Sequence, residues 1–299
     1  MIKEATALLL KAQNTDGGWG SVKGKRSNTE ATSLAVMALE SLQQESRGRS
    51  IREGVNWLAH GQNSDGSWPL NDTSQNPSWT TALAILALSL WPDYRTQVFN
   101  AARWVLRQKG SKPGLLANLL LALTFKKKAI HLNEDLIGWP WLAGTFSWVE
   151  PTSYYLIALK KVRSKMGGDF DERIKQGKLM IYDRMCRGGG WNYGNSVVFD
   201  ENLWPYPDTT AVALIALQDH REAEANRQSL EALKNMLRDV HSGLALSWGI
   251  ICLSLYGEDT GKWKELLAES FKKTQFLGEN KVIALSLLAL NDGAKFFKI

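Results

Sequence analysis

Three carboxylates and one indole recur at a single place in a repeat. Four segments align on a threonine (Thr32, Thr81, Thr152 and Thr210), each opening a run rich in Ala and Leu. Two residues before these threonines stand Glu30, Trp79, Glu150 and Asp208. Equivalent positions on stacked repeats point the same way, so the spacing predicts that the acids share one rim. Facing carboxyl groups raise one another's pKa, and apolar walls raise it further. A carboxylic acid kept protonated above aromatic surface is the reagent that protonates an alkene. The same acids also suit a role without chemistry, capping free amides and meeting the positive end of a helix dipole. Asp208 is set apart by the Trp204-Pro205-Tyr206-Pro207 stretch that leads into it. It is the candidate catalytic residue, expected to be the most buried acid beneath Trp204 and Tyr206. Glu150 and Glu30 are the supporting acids.

Aromatic residues crowd the same stretches. Trp79, Trp139, Trp141, Trp148, Tyr154, Trp204 and Tyr206 are the candidate lining of a cavity, with Phe146 and Tyr155 close by in sequence. Aromatic faces stabilise cations. They also line pockets for uncharged isoprenoid or acyl chains, and core packing is the plain alternative for each.

Helices must position these residues. The Ala/Leu runs end at Leu39, Leu88, Leu123, Leu159, Leu217, Leu255 and Leu290, at intervals of 49, 35, 36, 58, 38 and 35 residues. Each run is apolar on nearly every face, so it predicts a helix buried all round. Between the runs lie amphipathic stretches, such as 51–58, 94–108, 171–185, 221–240 and 262–275, that read as outer helices with one solvated face. Inner and outer helices alternating at this period make stacked hairpins. The expected fold is an all-α toroid, a double ring of about six or seven helical hairpins forming one domain over residues 1–299. Inner helices are expected to start near Ala31, Thr80, Pro151 and Thr209.

A second repeat marks the joints. Gln13-Asn-Thr-Asp16-Gly17-Gly18-Trp19 matches Gln62-Asn-Ser-Asp65-Gly66-Ser67-Trp68, and Gly188-Gly189-Gly190-Trp191 is a weaker copy. The glycines suit the left-handed turn that ends a helix. The aspartates suit bonds to turn amides. The glutamines suit a bridge to the next hairpin, and the indoles suit packing over the joint with the N–H paired.

At these residues the chain resembles the squalene-cyclase and protein-prenyltransferase superfamily, whose hallmark is the Gln-x3-Gly-x-Trp element. The segments 144–152, 189–195 and 206–211 are similar to small single-domain bacterial members. The resemblance implies a ring of helices around an aromatic-lined cavity. It also implies acid-initiated cyclisation of a polyprenyl substrate by an isomerase or lyase. The Asp-x-Asp-Asp-Thr-Ala motif of class II terpene cyclases falls on Tyr206-Pro207-Asp208-Thr209-Thr210-Ala211, so its middle, proton-donating Asp is Asp208 while Tyr206 and Thr209 replace the flanking acids. A non-catalytic toroid that binds a prenyl or lipid chain, or a protein, is the alternative. The zinc site of the prenyltransferases is not carried over, because there is no Asp-x-Cys and the two Cys and four His are scattered. No cofactor and no metal are expected.

Composition excludes other classes. With 36 Lys+Arg against 30 Asp+Glu the net charge is 36 − 30 = +6, too mild to argue for nucleic acid. No Walker loop is present. Two cysteines cannot frame a small disulfide fold, and neither a signal core nor a spanning run stands out, so the cytoplasm is the expected compartment. The runs 126–128 and 160–163 are basic and follow inner helices. They read as a solvated face, or as a docking site for a partner or for the anionic inner membrane face. The expected partner is an isoprenoid or another hydrophobic small molecule.

Overall fold

The computed structural model describes residues 1–42, 48–71, 73–74, 76–112, 132–166 and 170–299. Among the described residues the inner helices are α2 (Thr29–Ser41), α4 (Thr81–Leu88), α6 (Val149–Val162), α8 (Pro207–Ala216), α10 (Gly243–Tyr256) and α12 (Asn280–Leu290). The starts of the first four fall within two residues of those expected. Each packs on the next, and α12 packs on α2, so the ring closes. Nearly every residue of α2, α4 and α8 is buried, as runs of Ala and Leu without a polar face require. The repeat copy ending at Leu123, and the basic run 126–128, lie outside the described residues.

The outer layer is α1 (Ile2–Lys11), α3 (Gly48–His60), α5 (Arg95–Arg107), α7 (Asp171–Asp183), α9 (Glu224–Met236) and α11 (Gly261–Thr274). These helices bury one stripe; α3, for example, buries Ile51, Gly54, Val55 and Leu58. Among the described residues the strands amount to one two-residue hairpin, Val197–Val198 with Glu201–Asn202. It lies between α6 and α8, within the interval of 58 residues that separates their last leucines.

Four joints repeat one bonding pattern. The backbone N–H groups of Trp19, Trp68, Trp139 and Trp191 donate to the hydroxyls of Thr32, Thr81, Thr152 and Thr210 at 2.8–2.9 Å. Their indole N–H groups donate to the carbonyls of Leu9, Leu58, Val105 and Ile181 on the preceding outer helix at 2.7–2.9 Å. Each tryptophan is fully buried and ties an outer helix to the following inner one. Gln13 and Gln62 reach the next outer helix through Ser50 O and Gln97 O. Gly17 and Gly66 have φ of +91° and +95°, and a Cβ on either would stand 2.6–2.7 Å from the backbone of the next outer helix. No other residue fits both constraints.

Two expectations are corrected here. Trp139 does not line a cavity, because it is the clamp of the third joint, with Arg173 stacked 3.3 Å from its ring. The basic pair Lys160–Lys161 is not a solvated face. Lys160 Nζ is buried and donates to Ala216 O (2.7 Å) and Asp219 Oδ1 (2.6 Å), while Lys161 Nζ donates to Lys295 O and Lys298 O. Both ammonium groups satisfy backbone carbonyls at the C-terminal end of the ring. The 3-10 turn Asp292–Phe297 closes that end, packed on α2, α10 and α12. Among the described residues no helix is long and apolar enough to cross a membrane.

Candidate active site

The opposite end of the ring, where the inner helices begin, gathers the acids. Glu30, Glu150 and Asp208 are each the second residue of their helix (α2, α6 and α8). The register places a fourth charged group with them, Lys281, the second residue of α12. Its ammonium stands 3.5 Å from Glu30 Oε1, and both side chains are only partly exposed. Among the described residues no group of three or more His, Cys, Asp or Glu is disposed to hold a metal ion.

Glu150 is the most perturbed acid. Its pKa is pushed up from 4.5 to about 7, first by burial, then by repulsion from Asp208 and Glu30. Lys281 and the Tyr154 hydroxyl, which donates to Glu150 Oε1 at 3.4 Å, act in the other direction. Burial raises Glu30 as well, opposed by Lys281. The carboxyl that holds a proton near neutral pH is therefore Glu150. Asp208 is half-buried, as Glu30 and Glu150 are, and Trp204, expected to cover it, is 83% exposed.

The aromatic residues sort into three groups. Trp79 and Trp141 are half-buried at the wall, with ring centroids 5.1 Å apart, and Trp79 meets Tyr154 at 4.9 Å. Tyr154 in turn meets Trp248 of α10 at 5.8 Å, and Trp248 meets Phe297 of the closing turn at 5.1 Å. The α6 and α10 helices are not ring neighbours, so this contact bridges the axis below the acids. A third group forms the lip. Tyr206 precedes α8, its N–H donating to Trp191 O, and its ring lies 5.1 Å from Tyr193. Trp148 holds the same place before α6, its N–H donating to Trp139 O, with its ring over Gly194. Trp204, Phe146, Leu142, Leu203 and Phe199 are exposed on the loops that precede the inner helices. Trp204 thus belongs to the exposed lip and not to the wall.

Sequence reasoning missed Lys281, Tyr193 and Trp248. Lys281 could have been found by applying the threonine register to the weaker copy that ends at Leu290. Tyr193 faces the acids, since Asp208 and Glu150 both raise its hydroxyl pKa, after burial. Trp248 carries no motif.

Residues 2–124 match the squalene-hopene cyclase N-terminal domain family. The chain has the fold of the squalene-cyclase-like toroid superfamily. Among solved structures it is similar to type II terpene cyclase MstE from Scytonema (16% identity, 99% of this chain and 97% of that one, TM-score 0.60). A variant of that enzyme in complex with the substrate geranylgeranyl dihydroxybenzoate aligns at TM-score 0.62, 15% identity, with 99% and 97% of the two chains covered. An inactive variant of α-1,6-mannanase GH76A of Salegentibacter, in complex with α-1,6-mannotriose, aligns at TM-score 0.60, 10% identity, over 99% and 100%. No curated protein matches the chain. The toroid is thus common to terpenoid and glycan chemistry, and function rests on the site.

Proposed function

We propose that this toroid is a terpenoid-cyclase-like enzyme that starts cyclisation of a polyprenyl chain by protonating an alkene. The observation that carries the reading is Glu150, an acid held protonated to about pH 7 and raised by Asp208; with Trp79 and Trp141 half-buried at the same end, we read this rim as an aromatic-walled pit. An alkene is a feeble base, so the donor must be a neutral carboxylic acid, and repulsion from Asp208 adds to the burial that keeps Glu150 neutral. Asp208 is the proposed donor at the open side of the pit. Glu150 is its proton reservoir, and Glu30, held by Lys281, is the third acid. Trp79 and Trp141 present faces to the cation that follows. Proton return to the carboxylate closes the cycle, so the reaction needs no cofactor.

A second reading is supported by the exposed lip and by the absence of flanking acids at Tyr206 and Thr209: a toroid that binds a prenyl or lipid chain without turnover. One experiment separates the two. Purified protein is incubated with squalene and with linear prenyl diphosphates, and products are read by mass spectrometry. Cyclised product from the parent, abolished in Asp208→Asn with chain binding retained, is the expected result. A bound chain without product from the parent supports the binding toroid.

A further inference from the structure

We infer that the pit is one helical turn deep and ends at Tyr154 and Trp248, so that it takes only the terminal isoprene units of a chain and closes a single ring. The inference rests on the cyclase reading of the same site. Its basis is packing. Tyr154 lies four residues beyond Glu150 on α6, about 6 Å lower at 1.5 Å per residue. Tyr154 and Trp248 are 3% and 2% exposed, and Phe297 beneath them is fully buried. The axis-bridging contact of Tyr154 with Trp248, and of Trp248 with Phe297, leaves almost no surface of the three rings open to water. Rings packed too closely to admit a water leave no room for the thicker alkyl chain. Above this floor the half-buried groups are Glu30, Trp79, Trp141, Glu150, Asp208 and Lys281. Beyond them the apolar surface is on the lip, at Phe146 (53% exposed), Leu203 and Trp204. The part of a long chain that does not enter the pit has that surface to lie on.

The chemistry that fits is short. The carboxylic acid adds its proton to the terminal alkene, leaving a carboxylate and a tertiary cation. The π pair of the next alkene forms the ring C–C bond and moves the cation one unit along. Loss of an adjacent proton to the carboxylate forms the new alkene and restores the acid. Atoms and electrons balance as an isomerisation with no co-reactant. A second ring would need the next alkene folded into the same pit, where Tyr154 and Trp248 stand.

The test uses geranyl, farnesyl and geranylgeranyl diphosphates with the parent, Trp248→Ala and Trp248→Leu, the last keeping bulk in case the alanine variant fails to fold. Products with one ring from the parent, and additional rings from the two longer chains in either variant, are expected. Two or more rings from the parent would overturn the depth limit while leaving the cyclase reading intact. No product from any chain would sink the cyclase reading, and the depth limit is then read by binding, from fluorescence titration with farnesol and dimethylallyl alcohol. Removing the floor should tighten farnesol at least tenfold and leave dimethylallyl alcohol unchanged; equal farnesol affinity in parent and variants would overturn it.

Discussion

Tyr154 donates its hydroxyl proton toward Glu150 Oε1 at 3.4 Å from one turn below on the same helix. The bond favours the carboxylate and so works against the burial that raises Glu150. Tyr154→Phe removes the donor and keeps the ring. The Glu150 pKa should therefore rise further above 7, and the alkaline limb of any activity profile should move up with it. Carboxyl titration by 13C NMR checks this; an unchanged or lower pKa would show that the hydroxyl is not a partner of the carboxylate.

Stability should carry the same signature. A glutamate raised from 4.5 to about 7 in the folded chain binds more proton than the unfolded chain between those values. Stability therefore falls as pH rises through that window. At pH 5 Glu150→Gln should be nearly neutral. At pH 8 it should stabilise by about 2 kcal/mol, a figure discounted from the full shift because the carboxyl is partly exposed. Urea unfolding at the two pH values measures the difference, and equal effects at both would contradict the buried assignment.

The four clamp tryptophans should be structural. Trp68→Ala removes a fully buried indole and leaves Leu58 O without its donor. A loss of about 3–5 kcal/mol is expected from chemical denaturation. Trp139→Ala should cost as much, since its two bonds match those of Trp68. A small loss for Trp139 alone would show that the third joint is not equivalent.

Much of this architecture was legible because it is periodic. The all-round apolar runs at Thr32, Thr81, Thr152 and Thr210 could only be inner helices, and the Gln-Asp-Gly-Trp spacing could only be a joint. The third joint was hidden. Gln108 and Trp139 stand 139 − 108 = 31 positions apart, against 19 − 13 = 6 in the first joint, so the pattern breaks in sequence although Arg173 bridges Gln108 O and Gly138 O in space. The rim was legible in its register, which fixed Glu30, Glu150 and Asp208, but burial was not. Which acid is covered depends on Tyr154, on the lip loops and on how far Trp204 is held from the pit. The chain of rings below the acids was illegible, since Trp248 meets Tyr154, and Phe297 meets Trp248, only through ring closure.

Gly66 offers a test of the joint that leaves the rim alone. Its φ is +95°, and a Cβ there would stand 2.6 Å from Asn100 O, which leaves no room for a side chain. Gly66→Ala should destabilise by about 2 kcal/mol or more, from strain and overpacking together. Thermal unfolding equal to the parent would mean that the joint yields.

Proton transfer from the rim to an alkene is the central claim, and solvent isotope labelling tests it most directly. The parent is incubated with geranylgeranyl diphosphate in D2O, and the product is read by mass spectrometry beside Asp208→Asn. The account predicts a cyclised product carrying one deuterium at the former terminal alkene, and none from the variant. An unlabelled cyclised product, or an equally labelled product from Asp208→Asn, would contradict it.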